Sequence, residues 1–158
     1  MPNLMPGKPG TKEAFGISKV HDDYTIVIPP EAIHHYRIND LDYILLITGH
    51  RGKSGLGMIR KKTGLNSVFK KYIEKVERVE NVYWMNDRAF VILELKNGRV
   101  KTNRDILKAF LIDKGDSLLV VKSTTVTMSF TPVEIWQENF RKHGFMEAIE
   151  NMKKLEIF

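Results

Sequence analysis

Cysteine is absent from the 158 residues, which excludes disulfides, thiolate metal sites and cysteine nucleophiles. No apolar run approaches the roughly 20 residues that a membrane-crossing helix needs, and the first residues lack the apolar core of a signal peptide. A soluble, cytoplasmic protein with no membrane partner is therefore expected. Catalytic constellations are missing too: Asp22-Asp23 and Asp40/Asp42 fall in turns, with no histidine or serine at an interpretable spacing, so no enzyme is expected. Nor is a metal or cofactor. His34 and His35 are adjacent, and neighbours on a helix diverge by about 100°, so they cannot share a metal without a third ligand. Acidic residues are also in deficit, 19 against 25 Lys and Arg, giving a net charge of +6. That balance favours an acidic partner, of which nucleic acid is the commonest.

What is present is a repeat. The stretch KVHDDYTIVIPPEAIHHYRINDLDYILLI, Lys19 to Ile47, holds two apolar strands, Thr25 to Ile28 and Tyr43 to Ile47, around a short helical turn opened by Pro29-Pro30. A shift of 74 positions lays RVKTNRDILKAFLIDKGDSLLVV, Arg99 to Val121, on Thr25 to Ile47 without a gap. Ile38 meets Ile112, Asp42 meets Asp116, Leu45 meets Leu119 and Glu31 meets Asp105, while Ala32, Ile33 and Tyr36 meet Ile106, Leu107 and Phe110. Self-similarity at a fixed period marks a duplicated unit. Neither half has enough core to be very stable alone.

The rest of the chain is read around these units. Residues 1–14, rich in proline and glycine, are expected to form a flexible arm. The first repeat spans 15–62: a β-hairpin around His21-Asp22-Asp23, a helical turn from Pro30, a strand apolar on both faces that demands a covering layer, and a glycine-punctuated loop leading to Leu56–Arg60. Apolar residues every three or four positions between Lys61 and Val82 predict a connecting helix within segment 63–86, although β-branched residues near its end could join the next sheet. The second repeat, 87–131, carries Asn97-Gly98, the strongest short hairpin signal, and Asn103 as a helix N-cap. Segment 132–158 predicts a C-terminal helix, Val133 to Leu155, interrupted near His143-Gly144.

The order strand, acidic turn, V/I-x-I-P strand, short helix, Ile, acidic turn, Asp, apolar strand resembles the AbrB/SpoVT and MazE swapped-hairpin family. Lys19-Val20, Ile28-Pro29, Glu31, Ile38 and Asp42 carry the resemblance in the first unit; Gly98-Arg99-Val100, Arg104, Asp105-Ile106, Ile112, Gly115-Asp116 and Leu118 to Ser123 carry it in the second. It covers about two thirds of the chain. The resemblance implies a mainly β fold with short helices (α+β): two swapped-hairpin repeats interlaced in a β-barrel-like body, plus a connecting helix and a C-terminal helix. It also implies a DNA-binding transcriptional regulator that works largely through backbone contact and DNA shape, as a homodimer or higher oligomer.

The first unit departs from the family pattern, with Tyr24-Thr25 in place of Gly-Arg, Ile33 in place of a helix arginine, and Arg37 in place of a glycine. Binding carried over from the family therefore falls on Lys19, Arg99, Arg104 and Lys108, and local charge adds Lys101 and Arg37. Secondary basic contacts are expected from Arg51, Lys53, Arg60, Lys61 and Lys62. The loop GHRGKSGLG, Gly49 to Gly57, contains G-x-x-G-K-S, but the Walker spacing would need glycine where Ile47 stands, and a strand follows in place of a helix. It is read as a basic hairpin tip. Duplex DNA is the favoured partner; the alternatives are RNA or ribosome binding through the same basic loops, and an antitoxin-like or scaffold role in which the C-terminal helix docks a protein.

Overall fold

The computed structural model describes residues 3, 4, 13–49 and 53–158. The first unit runs β1 (Ala14–Lys19), β2 (Thr25–Val27), α1 (Pro30–His35), β3 (Tyr43–Ile47) and β4 (Leu56–Arg60). The link holds α2 (Lys61–Gly64), α3 (Lys70–Ile73) and β5 (Tyr83–Met85). The second unit repeats the order as β6 (Arg88–Lys96), β7 (Arg99–Lys101), α4 (Arg104–Ala109), β8 (Ser117–Lys122) and β9 (Met128–Pro132), followed by α5 (Val133–Lys142) and α6 (Met146–Met152). The expected mixed α+β class with short helices is what the chain forms.

One nine-stranded sheet runs β1-β8-β9-β4-β3-β6-β7-β2, with β5 added at β6. A single bridge between Val20 and Ile26 brings β2 back to β1, and the buried Ser18 hydroxyl donates to the Val27 carbonyl at 2.6 Å across the same seam. The antiparallel sheet thus curls into a nearly closed barrel, and the remaining edge of β1 is covered by the end of the chain, where Ile17 and Lys19 donate to the Glu156 and Phe158 carbonyls at 2.9 Å.

The units lie across one another within one chain. β1 pairs with β8, and β3 pairs with β6. In the β2–β7 ladder Thr25 faces Lys101, Ile26 faces Val100 and Val27 faces Arg99, a register that maps onto itself under the 74-residue shift. The turns correspond bond for bond. Asn39 N–H donates to Asp42 Oδ2 and Asp113 N–H to Asp116 Oδ2, both at 2.8 Å. Ile28 N–H reaches the Gly98 carbonyl at 2.8 Å, and Thr102 N–H the Tyr24 carbonyl at 3.0 Å. Tyr24 (φ 69°) and Gly98 (φ 75°) share the left-handed conformation at matching places.

Two-sided apolarity in β3 and β8 follows from the layering. Ile44, Leu46, Leu118 and Val120 point into the barrel with Phe110 and Phe130. Leu45 and Ile47 face outward onto Tyr72, Ile73 and Phe90, and Leu119 and Val121 face outward onto Phe140, Ala148, Ile149 and Met152. Each fully buried aliphatic or aromatic side chain contributes about 1.5–3 kcal/mol relative to exposure, so both outer coats stabilise the barrel they cover.

Two expectations are corrected. The single connecting helix does not form: α2 and α3 are one turn each, because the Ser67 hydroxyl donates to the Gly64 carbonyl and accepts the Phe69 N–H, turning the backbone between them. The β-branched end of the link instead leads into β5, closed on β6 by Asn86 (φ 54°) and Asp87 (φ 60°). At the N-terminus, Ala14 belongs to β1, and Leu4 is buried against α6, its carbonyl accepting from the Asn151 amide at 2.7 Å; the rest of the expected arm, 1, 2 and 5–12, lies outside the described residues. The C-terminal helix is divided as expected, at His143 to Phe145, where Gly144 adopts φ 71°.

Candidate nucleic-acid interface

The β2–β7 ribbon carries a helix at each end. Pro30 at the first turn of α1 follows β2 directly, and α1 sits beside the Asn97-Gly98 turn, where a Cβ on Gly98 would lie 3.5 Å from Ile33 Cδ1. At the other end α4 follows β7. Its N-terminus is fixed by Asn103, whose side-chain oxygen accepts the Ile106 N–H at 2.9 Å, the capping predicted from the sequence.

Val100 is buried while Arg99 and Lys101 are exposed, so the two cations share the outer face of the ribbon. Lys101 Nζ donates to the Asp23 carbonyl. The Asp23 carboxylate is held below its usual range by the Thr25 hydroxyl and Thr25 N–H, with Lys101 adding attraction. Asp23 is therefore held locally by Thr25, and Lys101 is the neighbouring cation drawn to it.

Beyond the ribbon, an open recess of about 1050 Å³ is lined by Tyr24, Arg104, Asp105, Leu107, Lys108, Leu111, Asp113 and Lys114. Arg104 and Lys108 are four residues apart on α4 and both exposed, as neighbours on one helical face must be. Lys114 reaches over Tyr24, its Nζ 5.4 Å from the ring centroid. Lys19 lies where β1 enters the turn beside it, since the Val20 carbonyl accepts the Gly115 N–H at 2.8 Å. Among the described residues no ion pair engages Arg99, Arg104 or Lys108.

The structure thus gathers Arg99, Lys101, Arg104 and Lys108 around the second unit, with the end of β1 and Lys19 near the Lys114 turn. Arg37 sits apart, exposed at the end of α1 with φ 54°. The secondary set is divided. Arg60 Nε donates to Asp42 Oδ2 at 2.6 Å, so its charge is neutralised. Burial opposes ionisation of Asp42, yet the Asn39 N–H and Arg60 outweigh it and hold the carboxyl below its usual value. Lys61 and Lys62 border a small surface recess beside Tyr43, whereas Lys53 lines a different recess with Arg88, Thr127 and Ser129. Arg51 lies outside the described residues.

Lys114 escaped the sequence reading. The 74-residue alignment contained the signal, since Lys114 stands where the first unit has Asp40, a full reversal of charge in otherwise matching turns. Compared with protein-family models, with curated proteins and with solved structures, the chain matches none.

Proposed function

We propose that this protein binds nucleic acid, duplex DNA in preference, as a transcriptional regulator of the AbrB-like kind, with the exchanged strands read as the swapped-hairpin arrangement of two tandem repeats. The observation that carries the reading is the outward cationic row Arg99, Lys101, Arg104 and Lys108 on a ribbon and helix whose matching first-unit positions are Thr25, Val27, Pro30 and His34. The fold does not need those charges, since the first unit builds the same backbone without them. Exposed Arg and Lys on the outer face of a ribbon and on the helix after it suit phosphate contact and shape-dependent binding more than base-by-base readout. A homodimer would present two such rows, one per chain, to the two halves of a DNA site.

The test is a salt series on labelled duplex DNA and on structured RNA. Wild-type binding to DNA should weaken steeply with salt, and the variant Arg99→Gln/Arg104→Gln/Lys108→Gln should bind more weakly, with the log–log slope shallower by about 2.7. A preference for structured RNA would reassign the partner, and no salt-dependent binding to either polymer would refute the reading.

A further inference from the structure

Leu41 combines two unfavourable features. It holds φ 68°, a left-handed conformation that leucine adopts at a cost, and it is 58% exposed. Its counterpart 74 residues on is Gly115, φ 92°, which takes that conformation without strain. Around Leu41 the exposed side chains of Tyr43 and Leu65 join it in one recess of about 230 Å³, rimmed by Lys61 and Lys62. The second unit has Ser117 opposite Tyr43. Its turn therefore closes with a glycine and a serine where the first unit spends a leucine and a tyrosine on the surface, so folding does not call for this apolar patch.

Charge points to the occupant. The one acid lining the recess, Asp42, is consumed by Arg60 at 2.6 Å, which leaves Lys61 and Lys62 as the uncompensated charges at the rim. Lys61 Nζ also stands 5.4 Å from the Tyr43 ring centroid, covering a ring face that a nucleic-acid base would need for stacking. What remains open is aliphatic, with cations beside it. We infer that the Leu41–Tyr43–Leu65 recess is a docking site for an acidic peptide segment that inserts an aliphatic anchor between the leucines and sets its carboxylates against Lys61 and Lys62. Such a surface, an apolar centre with a charged rim, has the anatomy of a peptide groove. It is separate from the cationic row of the second unit and stands whether or not that row binds DNA.

The experiment uses the full chain with leucine methyls labelled for NMR. The probe is a synthetic peptide of about ten residues, Glu and Asp around two leucines, with a Lys-for-acid version and a short single-stranded oligonucleotide as controls. Saturable shifts confined to Leu41 and Leu65, absent with the basic peptide and reduced by salt, are the expected result. Leu65→Ser and Leu41→Gly should each weaken the peptide about tenfold, and Lys61→Gln/Lys62→Gln should remove the salt dependence. Leu41→Gly installs the residue the second unit already uses, so its unfolding transition should match the wild type; Leu65→Ser supplies an independent variant should it not. No shift at either leucine with millimolar peptide, equal response to the basic peptide, or a response to the oligonucleotide alone would each overturn the assignment.

Discussion

The two helices that flank the β2–β7 ribbon occupy equivalent places and present different surfaces. Their inward positions agree in character: Ala32 with Ile106, Ile33 with Leu107, Tyr36 with Phe110. Outward positions on the helices and in the turns after them have parted. Pro30, His34 and Asp40 in the first unit stand against Arg104, Lys108 and Lys114 in the second. Inward side chains must fill a barrel interior packed to near crystal density, which leaves little latitude. Exposed positions carry no such constraint, so packing does not set the charge that distinguishes the second unit. The outer coats teach the same lesson from the opposite direction. Leu45 and Ile47 are covered by two single turns of helix and the hairpin strand β5, while Leu119 and Val121 are covered by α5 and α6. Burial of those side chains is required, and the secondary structure that supplies it is not.

The comparison of interiors is open to test at Tyr36 and Phe110. Phe110 is fully buried, and Phe110→Ala should cost about 3–5 kcal/mol in urea unfolding. Tyr36→Phe should cost only about 1 kcal/mol, the loss of its hydroxyl hydrogen bond to the Thr127 carbonyl at 2.9 Å. Burial pushes the Tyr36 phenol up to about 12, above an ordinary value near 10. Its contribution is thus complete below about pH 10 and lost as pH rises toward 12, and that alkaline loss should be missing from Tyr36→Phe. A cost for Tyr36→Phe as large as that of Phe110→Ala would mean that the hydroxyl bond to Thr127, not ring packing, holds the first-unit position.

The acidic turns sharpen it further. Asp42 and Asp116 each accept one turn N–H at 2.8 Å, but only Asp42 also holds an arginine. Asp42→Asn should therefore destabilise by about 1 kcal/mol more than Asp116→Asn. Because the folded-state carboxyl of Asp42 is held below its ordinary value, its contribution is present above about pH 4 and disappears as pH falls through the folded-state value. A difference between the two variants that did not shrink as pH fell through the folded-state value would rule out the ion pair as its source.

The helix starts differ as well. α4 begins with the side-chain cap of Asn103, whereas α1 begins at Pro29-Pro30 with no side-chain cap. Asn103→Ala should cost about 1 kcal/mol and loosen Arg104 and Lys108 with it, measured by hydrogen exchange at Ile106. An unchanged exchange rate would mean that packing of Ile106 and Leu107, not the cap, holds the cationic helix in place.

Much of this was legible in the chain. The repeat, the Asn97-Gly98 turn, the Asn103 cap and the two-sided strands all rest on local chemistry that a sequence displays directly. The link between the units was not, because apolar residues every three or four positions in Lys61 to Val82 satisfy a helix and an outer coat alike. Its β-branched end gave the one warning. Arg60 looked like a free cation for a similar reason: nothing in the linear order brings Asp42 to its side, and only the β3–β4 pairing does.

The sequence by itself determined the two units, their turns and caps, and which strands would be buried on both faces, because these depend on backbone preferences and on side chains near in the chain. Only the tertiary structure decided how the units cross, β1 onto β8 and β3 onto β6, and with it which charges stay free and which are spent. That choice rests on contacts between residues about 40 to 110 positions apart, whose free energy comes from filling one shared interior that neither unit could close alone.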